Sequence, residues 1–271
     1  MKAIRADIPS ALIIIERVSR MAKSILRLAD SLMTVFIVFV LFIFGAYAVY
    51  ALWDNNQVYA EAEDVQSALL QFKPTVNEEG GASFEELLAI NEDVCAWITL
   101  DNTEIDYPIV QGENILSYIN TDVYGNFSLS GSIFLDPANG TDFQDAYCLI
   151  YGHHMEKHRM FGDLDLYEDE DFFNENTTGT LILPDRSYNL EIFACLLVDS
   201  SEEAIFSPSQ WQTDIDGLLE FAEANATYLH EDTIALLREE ENPQVLGLST
   251  CSTAYSDART VILARMVPYS Q

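Results

Sequence analysis

Residues Leu32–Trp53 read LMTVFIVFVLFIFGAYAVYALW, 22 positions without a charge. A helix rises about 1.5 Å per residue, so roughly 20 apolar residues cross the hydrocarbon core of a bilayer. Tyr47, Tyr50 and Trp53 cluster at the far end, where an interfacial aromatic belt would sit. Six of the 13 basic residues (Lys2, Arg5, Arg17, Arg20, Lys23 and Arg27) precede residue 31, against only Asp7, Glu16 and Asp30. The positive-inside rule therefore expects the N-terminus in the cytoplasm and the rest of the chain outside. A cleaved signal peptide would use Ala46-Tyr47-Ala48 as its A-x-A site. The run is too long for a usual signal core and starts too far into the chain, which favours an anchor.

Beyond the span, seven basic residues face 41 of the 44 acidic ones, and the whole chain carries a formal charge of −31. Such a surface excludes a nucleic-acid partner, because phosphate binding needs clustered Lys and Arg. The expected organisation is a cytoplasmic basic amphipathic segment over 1–31, a transmembrane helix over 32–53, a stalk helix over 54–83 and an extracellular domain over 84–271. The expected location is the cell membrane, crossed once.

From Phe84 onward short apolar runs alternate with turn signals. CAWITLD, TEIDYPIVQ, GSIFLD, AYCLIYG, GTLILPD, YNLEIFACLLV, PQVLGLSTC and RTVILARMV read as eight strands, separated by turns such as DPANG and PDRS. That spacing predicts a mainly β fold with helices, a closed or nearly closed eight-stranded barrel. SFEELLAIN predicts a short helix capped by Ser83 with Glu86 at capping-box spacing. One helical stretch, 213–232, falls between the sixth and seventh runs. The acidic patch 167–176 lacks EF-hand spacing and reads as a solvated helix or loop.

Cys95, Cys148 and Cys195 sit in apolar runs and read as buried thiols. Cys251 differs, because Ser249, Thr250, Ser252 and Thr253 surround it. It ends a strand, and Arg259 opens the next. If the two strands pair antiparallel, Arg259 returns beside Cys251. Side chains alternate along a strand, so Gly247, Ser249 and Cys251 share a face, and Gly247 leaves space there. In YCLIYGHHM a strand runs into Gly152 and presents His153 at its end. A thiolate nucleophile, a histidine that moves protons and an arginine that holds an oxyanion make a coherent acyl-transfer site. The competing readings are a core thiol at Cys251 and a zinc site on His153, His154 and His158, of which His154 and His158 have i, i+4 spacing. The zinc spacing needs a helix, against which Gly152 and EKHRM argue.

These residues resemble the sortases, cysteine transpeptidases of Gram-positive surfaces. GLSTC resembles the TLxTC motif, with Gly247 in place of the first Thr. YGHHMEKHRMFGDLDLY, AINEDVCAWITLDNTEIDYPIVQ and GSIFLD resemble segments of class B members, and the likeness covers about 84–268. The resemblance implies Cys251, His153 and Arg259 as the catalytic three and Tyr151, Ser249, Thr250 and Asn114 as substrate-binding, with no metal and no cofactor. It implies surface proteins bearing a C-terminal sorting signal as substrates, cut after Thr through a thioacyl intermediate. A peptidoglycan cross-bridge amine is the implied acceptor. A class B-like enzyme that joins pilins through a lysine, and an anchored binding module that keeps only the fold, are the alternatives.

Overall fold

The computed structural model describes residues 8–75, 83–251 and 258–269, and the side chains among them other than those of 8–12 and Cys251. The chain divides into two units, Met1–Asn56 and Gln57–Gln271. In the first, helix α1 (Ile8–Leu70) carries the apolar span, and Phe36, Phe39, Phe42 and Phe44 are exposed along it. It is long and apolar enough to cross a membrane.

The second unit begins with the last turns of α1. Ala62 and Leu69 are buried there, and the Gln66 side-chain amide donates to the Glu104 carbonyl at 2.9 Å. Lys73 pairs with Asp106 at 2.9 Å. The helix end is thus part of the folded body. After it comes α2 (Glu85–Ile90), where Phe84 occupies the N-cap without a side-chain hydrogen bond. The expected Ser83 cap is therefore not formed, because the helix starts one residue later than the pattern suggested.

The strands are β1 (Val94–Leu100), β2 (Asp106–Val110), β3 (Ile133–Leu135), β4 (Tyr147–Tyr151), β5 (His154–Met155), β6 (Arg159–Met160), β7 (Thr178–Ile182), β8 (Ser187–Asp199), β9 (Tyr228–Leu229), β10 (Val245–Cys251) and β11 (Ala258–Pro268). Eight of them close a barrel in the order β11-β10-β4-β3-β2-β1-β7-β8, with β8 pairing back onto β11. They are the eight runs read from the sequence. Closure removes the open edges that an acidic, extended sheet would otherwise leave unpaired. Two neighbours, β2–β3 and β4–β10, are parallel. A parallel pair needs a long crossover. The β2–β3 connection and the long stretch 152–244 between β4 and β10 provide such crossovers.

Alternation sorts the side chains of β4, β10 and β11. Cys148, Ile150, Leu246, Leu248, Ile262 and Ala264 point into the barrel core. Tyr147, Leu149, Val245, Val261 and Leu263 point outward and are covered by Leu218, Leu219, Ala222, Ile234 and Leu237. The cover comes from α5 (Asp216–Asn225) and α6 (Glu231–Glu239). The sequence suggested one helix over 213–232. The structure has two, separated by 226–230, where β9 pairs onto β8 through Tyr228 and Leu229. The acidic patch forms the end of a 3-10 helix (Gly162–Glu168) and α3 (Glu170–Glu175), capped by the Asp169 carboxylate on Phe172 N–H.

Candidate active site

Three strand ends converge on the outer, helix-covered face of the barrel. Strand β4 runs parallel to β10 with Tyr151 level with Ser249. The Gly152 N–H extends that pairing by donating to the Ser249 carbonyl at 3.1 Å. A Cβ on Gly152 would meet Ile133 Cδ1 at 2.5 Å and the Phe161 ring at 2.8 Å. This close packing pins the chain where β4 ends, so the next residue, His153, emerges at a fixed place. Strands β10 and β11 pair antiparallel with Cys251 opposite Arg259. The Cys251 side chain and residues 252–257 lie outside the described residues.

A groove of about 240 Å³ opens at this convergence. His153, Arg259, Tyr151, Ser249 and Thr250 line it, with apolar walls from Ile115, Ile119, Phe134 and Phe206. His153 Nε2 lies 2.7 Å from the Ile119 carbonyl oxygen. His154 turns to the other side and meets Asp165 at 2.7 Å, which raises its pKa. His158 meets a different carboxylate, Asp163, at 2.6 Å. His154 and His158 stand on the β5–β6 hairpin, with Lys157 and His158 at φ +60° and +59°. That backbone is not helical, so the i, i+4 spacing does not bring the two rings together. Among the described residues no cluster of three His, Cys, Asp or Glu side chains is placed to hold a metal.

The Tyr151 ring lies 5.3 Å from Phe134 and stacks 6.4 Å from Phe206, centroid to centroid. Its hydroxyl donates to Asp136 at 2.8 Å. Burial, and then the Asp136 charge, push the phenol pKa far up, so it is a neutral donor. Ser249 and Thr250 are buried, and their hydroxyls have no hydrogen-bond partner among the described residues. Leaving such a group unsatisfied costs about 1–3 kcal/mol.

One sequence expectation is corrected here. Gly247 does not leave open space. A Cβ there would lie 2.5 Å from Tyr147 Oη and 2.9 Å from its ring, so Tyr147 already fills the position. A threonine at 247 would overpack by about 1–3 kcal/mol, which explains the departure from TLxTC. Asn114 is not among the described residues that line the groove. Its Oδ1 accepts from Leu116 N–H at 2.9 Å and shapes a turn, and its neighbour Ile115 reaches the groove instead.

Cys95, Cys148 and Cys195 are buried. Burial pushes the Cys95 and Cys195 thiols up to about 12 and raises Cys148 as well. They are thiols at neutral pH and cannot supply a thiolate.

Sequence reasoning missed the groove walls. Ile119 and Ile115 lie in the long β2–β3 connection, and Phe206 closes α4 (Glu203–Phe206) in the crossover after β8. Long connections in a compact barrel are where function concentrates. That was the available signal, although it does not say which apolar residue faces inward.

No family model matches the chain. A class B sortase of Streptococcus pyogenes involved in pilus biogenesis is 36% identical, with a TM-score of 0.61, over 68% of this chain and 97% of that one. The chain belongs to the class B sortases. Sortase B of Clostridium perfringens is similar at 27% identity and TM-score 0.61, over 68% of this chain and all of the other. Sortase B of Listeria monocytogenes is 29% identical over 220 residues, 80% of this chain and 87% of that protein. The closed eight-stranded barrel is the sortase fold, and the family to which it belongs is one of cysteine transpeptidases.

Proposed function

We propose that this sortase is a membrane-anchored transpeptidase that cuts a C-terminal sorting motif after its Thr and passes the new acyl group to an amine of the peptidoglycan cross-bridge. The observation that carries the reading is the register that sets Cys251 opposite Arg259, at the end of a strand parallel to the one delivering His153. The Cys251 thiolate attacks the Thr carbonyl carbon, and the oxyanion forms beside Arg259. The C–N bond to the next residue breaks, and His153 gives its proton to the departing amine. An incoming amine attacks the thioester and loses a proton to His153, and Cys251 leaves as thiolate. The hydroxyls of Ser249 and Thr250, without a partner among the described residues, support peptide binding in the same groove, because a bound backbone would satisfy them. The uncharged span with its basic flank supports an anchor with the barrel outside the cell.

One observation favours a second acceptor. The 36% identical relative is described as involved in pilus biogenesis, which makes a pilin lysine the alternative amine. The full chain in detergent, given sorting-motif peptides with either cross-bridge amines or lysine-bearing pilin peptides, separates the two. Ligation to cross-bridge amines is the expected outcome. Ligation to lysine alone would establish the second reading, and binding without cleavage would leave only an anchored binding module.

Arg259→Ala is expected to lower kcat by about 10²–10³, the usual loss of one oxyanion donor. Arg259→Lys keeps the charge but not the planar fork and should recover only part. Steady-state kinetics decide this, and near-native turnover in Arg259→Ala with an intact circular dichroism spectrum would make Arg259 a structural strand-end residue.

A further inference from the structure

His153 does not stand alone at the groove. A carbonyl oxygen can only accept, so the 2.7 Å contact with Ile119 requires the proton on Nε2. The neutral ring then has a single unprotonated nitrogen, Nδ1. Ile119 meets this histidine with its backbone while its residue also lines the groove.

The segment around Ile119 is held from behind by the approach to β3. Ser132 N–H donates to the Tyr118 carbonyl at 3.1 Å, and the Ser132 hydroxyl donates to the Thr121 carbonyl at 2.8 Å. Directly before Ser132 stands Gly131, at φ +59°. A Cβ there would lie 2.5 Å from the Ile119 oxygen and 2.7 Å from the Tyr118 oxygen. Both atoms are backbone and cannot rotate away. Only glycine lets this carbonyl sit where it meets His153, and glycine also takes the left-handed backbone without strain.

We propose that the Ile119 carbonyl, kept in place by Gly131, is a positioning group that fixes the proton of His153 on Nε2 and leaves Nδ1 to exchange protons with the departing and incoming amines. This rests on the reading of His153 as the proton-transfer group. The wall that receives substrate and the atom that orients the histidine then belong to one residue, Ile119. A misplaced ring costs rate even when the groove is intact.

The test is nitrogen NMR on the full chain in detergent with ¹⁵N-labelled histidine, the four rings being assigned by replacing His154, His158 and His230 singly. In the neutral form of the wild type, His153 should show a protonated Nε2 and a bare Nδ1. Gly131→Ala should lose that fixed tautomer and lower kcat by about 10². A wild-type ring protonated on Nδ1 would overturn the proposal. So would a folded Gly131→Ala protein with unchanged tautomer and turnover. If Gly131→Ala fails to fold, the wild-type spectrum alone decides. Full turnover in His153→Ala would instead refute the assigned role of His153 and leave the tautomer result standing.

Discussion

Replacing Cys251 with alanine is expected to leave no measurable cleavage of a sorting-motif peptide. Removing a covalent nucleophile typically costs on the order of 10⁴–10⁶ in kcat, because the remaining groups have no acyl acceptor to act on. The three other cysteines set the contrast. Cys95, Cys148 and Cys195 are buried, and burial holds each thiol protonated. Alanine at any of them removes one sulfur from a packed core and should cost about 1–2 kcal/mol. Their variants should therefore melt earlier yet cleave at native rates. Peptide cleavage and thermal melting on the same four proteins check both halves, and loss of cleavage in a folded Cys148→Ala protein would move the nucleophile.

His153→Ala should lower kcat by about 10²–10⁴, the usual contribution of a positioned acid and base. His154→Ala should largely spare turnover, because His154 faces Asp165 and not the groove. Its loss should appear in stability, with a definite sign. The hydrogen bond to Asp165 raises the His154 pKa in the folded protein. A raised pKa gives stability that is full below the unfolded value, about 6.5, and fades as pH climbs through the folded value. The melting temperature of His154→Ala should therefore fall further below wild type in mildly acidic buffer than in alkaline buffer. An equal deficit at both would mean that His154 contributes packing only.

The barrel was legible because strand periodicity and closure act on local patterns. Eight runs separated by turn residues can bury their alternate faces in few other ways, and all eight became barrel strands. The Cys251–Arg259 register was legible for the same reason, since a short antiparallel connection fixes what lies opposite. Features that depend on distant neighbours were not legible. Gly247 looked like open space, and only the fold shows that Tyr147, from the parallel strand β4, fills it. Asn114 stood one residue from the groove wall, and an irregular turn rather than a periodic element decided that Ile115 faces inward. The break between α5 and α6 follows from β9 pairing onto β8, a tertiary contact that overrides a continuous helical pattern. Asp136 holds the Tyr151 hydroxyl across two neighbouring strands, which no spacing in the sequence announces.

The central claim is covalent catalysis at Cys251, and the most direct measurement is the mass of the acylated chain. The full-length protein in detergent is mixed with a sorting-motif peptide in the absence of any acceptor amine, quenched in acid and digested. A mass gain equal to the peptide up to its Thr is expected on the fragment containing Cys251, and it should disappear when an acceptor amine is added. Cleavage of the peptide with no adduct, or with the adduct on another residue, would contradict the account.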